Sequence, residues 1–473
     1  MRALKSPAEL EAIAEVEGFA PKAVLDPHDP IKTAREMVAA RFTDRRGQVL
    51  YRHRGAFWQF RSGCYLLADD EAIRTALWTF LEKAERLDQK GNAVPFKPSR
   101  ARVSDALDAL GAVCELDAHL EPPVWLANSS NLPPPGEFLP VANGLVHLPS
   151  GELYPSTPQY FGLSASAVAF DLHAPEPRHW LAFLDDLFGT DAQAIEALQD
   201  WFGYVLASDT SQQKILLVVG PKRSGKGTIA RVLREVVGRE SVAGPTLSSL
   251  SSNFGLEPLI GKPLAIISDA RLGGRSDQAA IAERLLSISG EDGLTIDRKF
   301  RQAWTGYLST RFMMLTNELP RLLDNSGALA NRFIVLVLER SFYGREDPAL
   351  TNRLLGELPG ILNWAMDGYR RLRARGHFLQ PESALDAIDE LESLASPITA
   401  FIREKCTMAP GSEIEASALY TAWREWCLAN GRREPGTVQT FGRDLRAAAP
   451  AIKMLQHRFV GDRGRFYQGI ALT

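Results

Sequence analysis

Hydrophobic and polar positions divide the chain into a mixed N-terminal region, a central region of apolar runs separated by helical patterns, and a small C-terminal unit. Four short runs of consecutive apolar residues are typical of strands buried on both faces of a sheet. These runs are QKILLVV (213–219), PLAIIS (263–268), RFMMLT (311–316) and RFIVLVL (332–338). Because buried strands that alternate with helices form a parallel sheet covered by helices, we expect an α/β core over residues 207–345.

The N-terminal region, residues 1–125, predicts an α+β accessory domain. It begins with an acidic helical pattern, and a hairpin-like piece follows at residues 48–68, with turn signals that include Gly55 and Gly63. A helix should start at Asp69, because acidic residues occupy its first turn and basic residues lie near its end, as the helix dipole favours.

Three further segments surround the core. Residues 126–206 predict a strand–turn–strand at 143–155 and then helices, and residues 346–396 have a helical pattern throughout. Residues 397–473 read as three helices and then two strands that meet near Asp462, which predicts a winged helix domain. One apolar helix face in this domain would be formed by Leu419, Tyr420, Trp423, Trp426 and Cys427.

The composition of the chain restricts the partners that it could bind and the compartment in which it could work. The 473 residues carry 54 basic and 57 acidic side chains, a net charge of −3, so only locally basic surfaces could hold DNA. Four scattered cysteines without a CxxC pair argue against a zinc ribbon and a disulfide framework, and favour a reducing compartment. No apolar run approaches the roughly 20 residues that span a bilayer. We therefore expect a cytoplasmic protein that has no membrane partner.

The candidate chemistry begins where the first apolar run ends. QKILLVV leads directly into GPKRSGKGT and then into a helical pattern, which places the frame G-x-x-x-x-G-K between a strand and a helix. Backbone N–H groups of such a loop surround a phosphate, and its lysine reaches the β- and γ-phosphate oxygens. We predict that a nucleotide is bound by Gly220, Pro221, Ser224, Gly225, Lys226, Gly227 and Thr228.

The loop departs from the usual pattern at one position. Gly227 follows Lys226, and the hydroxyl group arrives one residue late, at Thr228. Thr228 is the expected Mg²⁺ ligand, either directly or through a water molecule. A GKGT ending also occurs in nucleoside monophosphate kinases, which usually begin near the loop, whereas more than 200 residues precede it in this chain.

An acidic residue follows the second apolar run. Asp269 stands 43 residues beyond Lys226, where the run PLAIIS ends. A carboxylate at the end of a buried strand beside a phosphate loop is suited to holding Mg²⁺ and managing the attacking water. The plainer alternative is an acidic residue that merely starts a loop.

With these motifs in place, the chain resembles superfamily III helicases, in particular the phage and plasmid primase-helicase family related to poxvirus-type replication helicases. The resemblance covers roughly residues 140–473, and from the residues that precede it we expect the primase domain found in many relatives to be absent. It is carried by NGLVHLPSGELYP (143–155), LQDWFGYVLASD (198–209), SGEDGLTIDRKF (289–300), RFMMLTNELPRLLD (311–324) and GALANRFIVLVL (327–338).

The resemblance implies an α/β P-loop NTPase core of the AAA+-like superfamily III type, which uses ATP and Mg²⁺. Lys226 would bind phosphate, Asp269 and Thr228 would hold Mg²⁺, Asn317 would position the attacking water, and Arg332 would act as an arginine finger on the neighbouring subunit. The expected protein is a hexameric ring on single-stranded or forked DNA. It would work with a separate primase or polymerase in the cytoplasm of a bacterium or a phage-infected host.

Two basic clusters are candidate DNA contacts. Arg298, Lys299 and Arg301 should lie on a hairpin that returns through the run at 310–316, and the alternative is a solvated charged turn. Residues 401–473 carry eleven Lys or Arg against seven Asp or Glu, and the alternative role for this winged helix is protein contact. The arginines expected to contact phosphates there are Arg443, Arg446, Arg458, Arg463 and Arg465.

Three functional classes stay open at this point. A replicative helicase is favoured over an ATP-gated origin-binding or loader protein that does not unwind DNA, and over a nucleotide kinase. Strand displacement together with stimulation of ATP hydrolysis by single-stranded DNA distinguishes the three.

Overall fold

The computed structural model describes residues 23–127, 131–270, 277–299, 301–324, 327–431, 435–459 and 462–473. The chain forms two compact units, one of residues 1–127 with 157–161, the other of residues 128–156 with 162–473. The acidic helix expected at the N-terminus lies outside the described residues. The side chains of Arg458 and Arg463 do so as well.

In the described residues the helices are α1 (Pro30–Arg41), α2 (Asp70–Lys83), α3 (Arg100–Cys114), α4 (Arg178–Phe188), α5 (Ala192–Leu206), α6 (Lys226–Val237), α7 (Leu247–Leu250), α8 (Gln278–Ser289), α9 (Leu350–Leu355), α10 (Leu358–Arg375), α11 (Leu385–Ala395), α12 (Pro397–Lys405), α13 (Ala416–Ala429) and α14 (Val438–Ala448). Short 3-10 turns occur at Pro135–Glu137, Arg239–Ser241, Glu257–Leu259, Ala330–Arg332 and Glu382–Ala384.

The strands of the described residues are β1 (Thr43–Asp44), β2 (Gly47–Gln48), β3 (Leu50–His53), β4 (Ala56–Arg61), β5 (Cys64–Leu67), β6 (Glu85–Leu87), β7 (Ala93–Pro95), β8 (Val124–Trp125), β9 (Phe138–Val141), β10 (Gly144–His147), β11 (Glu152–Tyr154), β12 (Tyr160–Phe161), β13 (Ile215–Val219), β14 (Val242–Ala243), β15 (Leu264–Ile267), β16 (Leu294–Arg298), β17 (Arg301–Gly306), β18 (Arg311–Thr316), β19 (Phe333–Val337), β20 (Cys406–Glu415), β21 (Lys453–Phe459) and β22 (Asp462–Leu472).

The first unit packs α1, α2 and α3 around an apolar core beside the antiparallel sheet β3–β4–β5. The sheet turns at the predicted positions, where Gly55 and Gly63 adopt positive φ. Asp69 caps α2 by accepting a hydrogen bond from the backbone N–H of Glu71, so the predicted helix start is confirmed.

The second unit is built on a five-stranded parallel sheet in the order β14–β15–β18–β13–β19. All four predicted apolar runs supply strands of this sheet, and the α/β character of the core is confirmed. Alternate side chains of each strand enter two separate cores: Leu216 and Met313 lie in the core on one face, Leu217 and Met314 in the core on the other. Helices cover both faces, which is why the runs are apolar throughout.

Helices α5 and α10 pack closely on one side of this sheet. A Cβ atom on Gly203 would lie 2.3 Å from the backbone nitrogen of Tyr369, and one on Gly368 would lie 2.2 Å from the carbonyl oxygen of Gln199. The same pair of helices buries Asp200 completely against the guanidinium groups of Arg371 and Arg375. Glycine at two crossing points lets the two backbones touch.

The hairpin differs from the sequence-based expectation in its second strand. β16 pairs with β17, the strand Arg301–Gly306, whereas the run at 310–316 forms β18 inside the parallel sheet. All six residues of β18 are buried, which suits a central strand, and β17 exposes most of its side chains, as a projecting hairpin does.

The C-terminal residues form a helix–strand–helix–helix–strand–strand unit around their own apolar core. Its three-stranded antiparallel sheet has the order β20–β22–β21. The helices and the two final strands are as predicted, and β20 is one strand more than the pattern indicated. The expected apolar face of α13 lies in this core, with Leu419, Trp423 and Cys427 buried.

Candidate functional site

The glycine loop, residues 220–228, follows β13 at the carboxyl end of the sheet and includes the first three residues of α6. Open α/β sheets bind ligands at this end. Gly225 adopts φ +90° at the N-terminus of α6, and a Cβ atom there would lie 2.7 Å from Leu187 Cδ2. A Cβ atom on Gly220 would lie 2.6 Å from the carbonyl oxygen of Leu338. Both glycines are therefore required by the path of the loop.

Lys226 folds back over the loop. Its Nζ donates hydrogen bonds to the carbonyl oxygens of Gly220 (2.6 Å) and Pro221 (2.7 Å) and to Ser224 Oγ (3.1 Å). Burial lowers the pKa of Lys226, because desolvation disfavours the ammonium ion. An anion in the loop would reverse that penalty, so the lysine is placed to respond to phosphate.

The predicted residue Asn317 is brought to this lysine by the strand order. Its Oδ1 accepts a hydrogen bond of 3.2 Å from Lys226 Nζ. Asn317 follows β18, which lies directly beside β13, and the backbone N–H of Gly220 donates to the carbonyl of Thr316 at 3.2 Å. Two segments 91 residues apart in sequence thus meet at one amine group.

Asp269 lies one strand further away. It follows β15, and the next residue, Ala270, donates its backbone N–H to the carbonyl of Leu315 in β18 at 2.9 Å. The carboxylate is exposed at the carboxyl edge of the sheet. Thr228, half-buried, occupies the first turn of α6. The edge therefore carries an amine, an amide, a carboxylate and a hydroxyl group.

Side-chain oxygens of the kind that Mg²⁺ binds lie at this edge of the sheet. Within the residues that the structure describes, no three His, Cys, Asp or Glu side chains gather into a metal-binding group. Mg²⁺ typically keeps several waters and takes one or two protein oxygens together with substrate phosphates. Asp269 and Thr228 are the two predicted ligands that could supply such oxygens at this edge.

Arg332 lies at the amino end of the parallel strands, whereas the glycine loop lies at their carboxyl end. It precedes β19, whose first residue Phe333 pairs with Ile215 at the start of β13. Its Nη1 donates to the side chain and the carbonyl of Gln213. A strand of five residues, at about 3.3 Å per residue, separates this position from the loop of the same chain.

The three basic residues of the hairpin occupy unlike environments. The Arg298 side chain is 8% exposed and its Nε donates to the carbonyl of Gln302 at 2.8 Å. Lys299 and Arg301 are exposed at the turn. The structure therefore uses Arg298 to hold the hairpin together and presents the other two at its tip.

The C-terminal arginines lie on α14 and β22. Arg443 is exposed and pairs with Asp444 at 3.1 Å, and Arg446 donates through Nε to the carbonyl of Gly442 at 2.9 Å. Arg465 is exposed on β22. The backbone of Arg463 belongs to the same strand, and its side chain lies outside the described residues.

One segment beside the loop was missed by sequence reasoning. Residues 338–346, here called the strap, leave β19 and follow the glycine loop. Backbone N–H groups of Leu338 and Phe342 donate to the carbonyls of Val219 (2.8 Å) and Arg223 (2.9 Å). The pairing joins positions more than 100 residues apart, and the sequence carries no signal for it.

Comparisons with known proteins gave one family model and several similar solved structures. A family model described as a family of unknown function (DUF5906) matches residues 218–332, which include the glycine loop, Asp269, Asn317 and Arg332. Among solved structures, "The A form apo structure of NrS-1 C terminal region-CTR" is similar at 13% identity and a TM-score of 0.49, covering 93% of this chain and 100% of that chain. "The apo structure of NrS-1 C terminal region (305-718)" is similar at 13% identity and a TM-score of 0.48, covering 94% and 100%. Across the described residues, no helix combines the length and apolarity that crossing a membrane requires.

Proposed function

We propose that this chain is an ATP-driven replicative DNA helicase of a phage or mobile element, with a P-loop NTPase core that works in a homo-oligomeric ring of six subunits. The observation that carries the proposal is the 3.2 Å contact between Lys226 Nζ and Asn317 Oδ1. It brings the lysine of a G-x-x-x-x-G-K loop to a polar amide at the end of the neighbouring strand. This arrangement suits binding of a γ-phosphate and orientation of the water that attacks it.

Each group at the edge of the sheet has a role in this proposal. Backbone N–H groups of the glycine loop and the N-terminus of α6 bind the phosphate chain. Lys226 offsets the charge of the transferred phosphoryl group, and Asn317 holds the attacking water. Mg²⁺, held by Asp269 and Thr228, supplies charge neutralisation when it is bound.

The position of Arg332 supports action between subunits. A guanidinium at the amino end of the sheet cannot reach the glycine loop of its own chain, which lies a strand length away. In a ring, the amino edge of one subunit can face the carboxyl edge of the next. Arg332 would then complete the neighbour's site. Each hydrolysis event would therefore depend on the contact between two subunits.

DNA contact is assigned to exposed basic groups. Lys299 and Arg301 lie at the tip of the β16–β17 hairpin, and Arg443 and Arg465 are exposed on the C-terminal unit. Positive side chains that contact the phosphate backbone give affinity without sequence preference, which suits a translocating protein. A separate primase or polymerase belongs to the same proposal as a partner.

The test measures ATP hydrolysis with and without single-stranded DNA, and displacement of a strand from a forked duplex. We expect DNA to stimulate hydrolysis and the fork to be unwound. Lys226→Ala should abolish both activities while the circular dichroism spectrum stays unchanged and the protein remains folded, because the lysine fills no core space and its removal costs only the hydrogen bonds of its amine. The matched control Lys32→Ala, at an exposed position of α1, should keep both activities.

Other outcomes would identify other classes. Phosphate transfer to a small acceptor, with no response to DNA, would make the chain a nucleotide kinase. Hydrolysis with DNA binding and no strand displacement would make it a loader or origin-binding protein. Unchanged hydrolysis in Lys226→Ala would remove the glycine loop from the active site.

A further inference from the structure

The strap is bound to the end of β13 and to the glycine loop at several points along its length. Besides the two backbone hydrogen bonds at Leu338 and Phe342, the hydroxyl of Ser341 donates to the carbonyl of Lys222 at 2.8 Å. Arg223 Nε lies 3.5 Å from a carboxylate oxygen of Glu346. The strap therefore keeps a defined position relative to any phosphate chain that the loop holds.

A hydrogen-bonded turn within the strap presents one aromatic ring to solvent. The backbone N–H of Arg345 donates to the carbonyl of Phe342 at 2.9 Å, and Gly344 supplies the positive φ of +77° that such a turn needs at its third residue. Phe342 packs against the core that contains Leu216 and Met313, and the next residue, Tyr343, stands at the corner of the turn.

Tyr343 is unusually exposed for an aromatic residue. Its side chain is 80% exposed, although its backbone N–H is held by Ser341 Oγ at 3.3 Å. Exposing a large ring on a fixed backbone costs hydrophobic free energy that burial would recover. A ring held in this way is prepared to stack on a flat partner.

The strand order indicates which part of a nucleotide would reach it. In the proposed site the γ-phosphate lies by the Lys226–Asn317 contact, which is on the flank of β13 that faces β18. β19 lies on the other flank of β13, and the strap leaves β19 there. If the phosphate chain runs along the loop from that flank to the other, the nucleoside lies on the side of the strap.

We propose that Tyr343 stacks on the base of the nucleoside triphosphate held by the glycine loop. The inference rests on the proposed function for the phosphate site, and it adds the base-binding residue. Stacking uses the face of the base, and every base has a π-face. The ring therefore increases affinity for any nucleotide that carries a base and does not select one base over another. The base is thus bound by a side chain of the strap, and the phosphates are bound by the glycine loop.

The experiment compares the affinities of two ligands that share the phosphate chain and differ in the base. Dissociation constants for ATP and for inorganic tripolyphosphate are measured in the full chain with Mg²⁺. Tyr343→Ala should weaken ATP binding about five- to tenfold, the lower part of the range for base–aromatic stacking, and leave tripolyphosphate binding unchanged. Tyr343→Phe should bind both ligands like the wild type, and GTP should show the same loss as ATP in Tyr343→Ala.

A matched control is Tyr307→Ala, which removes another exposed tyrosine, one that lies outside the strap and the loop. It should leave both affinities unchanged.

Equal ATP affinity in the wild type and Tyr343→Ala would overturn the inference. A parallel loss of ATP and tripolyphosphate binding would overturn it as well, because Tyr343 would then support the loop instead of contacting the base. Equal losses in Tyr343→Ala and Tyr343→Phe would overturn it too, because the hydroxyl would then be the contact. A wild-type protein that binds neither ligand would contradict the phosphate site itself, and the inference with it, whereas ATP binding without hydrolysis or unwinding would contradict only the proposed function.

Discussion

Lys226 is the residue at which the parts of the candidate site meet. Its amine is shared between carbonyl oxygens of its own loop and the amide of Asn317. The loop frame predicted the lysine, and the family resemblance predicted the asparagine. Their contact depends on the placement of β18 beside β13, which neither motif contains.

The first prediction concerns Asn317 and separates binding from chemistry. In Asn317→Ala we expect ATP affinity within about twofold of the wild type, because the glycine loop and Lys226 remain. Loss of one polar group that orients the attacking water should lower kcat about 10²- to 10³-fold. Single-turnover hydrolysis and equilibrium ATP binding measure the two quantities.

The control for this prediction is the adjacent residue. Glu318 is exposed beside Asn317, and its carbonyl, not its carboxylate, accepts the hydroxyl of Thr316. Glu318→Gln should therefore keep both ATP affinity and kcat. A normal kcat in Asn317→Ala would show that the amide merely holds Lys226.

At the scale of elements, the packing of α5 on α10 depends on glycine where the backbones cross. A Cβ atom on Gly203 would lie 2.5 Å from the carbonyl oxygen of Ala365 as well as 2.3 Å from the Tyr369 nitrogen. Both obstacles are backbone atoms of α10, which cannot rotate away. Helix propensity alone would favour alanine at Gly203 by about 1 kcal/mol, so the glycine is retained for close packing.

The second prediction follows from that clash. Overpacking at a fixed contact costs about 3 kcal/mol, which exceeds the gain in helix propensity. Gly203→Ala and Gly368→Ala should each destabilise the protein by about 2 kcal/mol, measured as a lower Tm. Gly244→Ala, at a site with nothing within 4 Å of a new Cβ atom, should change stability by no more than about 1 kcal/mol. Unchanged stability in both helix variants would show that the two helices separate easily.

The hairpin shows why one element was predicted wrongly. The run at 310–316 was expected to return the hairpin, but its central residues, 312–315, are apolar on both faces and are buried in the sheet. The true return strand, β17, carries a mixture of polar and apolar residues without a strong pattern. Sequence periodicity identifies a core strand more easily than a strand that projects into solvent.

At the scale of the whole molecule, the proposed ring rests on Arg332, which lies at the edge of the sheet opposite to the glycine loop. The third prediction is that Arg332→Ala binds ATP nearly normally and hydrolyses it 10³- to 10⁵-fold more slowly, as fingers in trans do in related systems. In a mixed assembly with Lys226→Ala subunits, some interfaces would pair an intact loop with an intact finger. Two nearly inactive variants should then regain part of the ATPase activity.

A finger that acts within one chain cannot produce this recovery. The mixture is assayed for ATP hydrolysis, and chromatography of differently tagged subunits establishes that mixed oligomers have formed. If the mixed oligomers have only the summed activity of the two variants, Arg332 does not act in trans. The double variant Lys226→Ala/Arg332→Ala mixed with wild type is the control for dilution of active interfaces.

The sequence by itself determined the buried strands, the glycine loop between a strand and a helix, the start of α2 and the apolar face of α13. Each of these depends on neighbouring residues: a run of apolar side chains, a glycine at a forced turn, an aspartate at a helix N-terminus. Such signals act over a few residues, so they are visible in the order of amino acids.

Only the tertiary structure decided that β18 lies between β13 and β15, which brings Asn317 to Lys226 and leaves Asp269 one strand away. It also decided that the strap follows the glycine loop and that Arg298 is buried in its hairpin. The pairing of β13 with β18 and the path of the strap depend on hydrogen bonds between backbone groups, which every residue possesses, and both join positions roughly a hundred residues apart. Backbone hydrogen bonds carry no residue-specific signal, so the strand order that creates the site arises from packing the whole sheet between its two layers of helices.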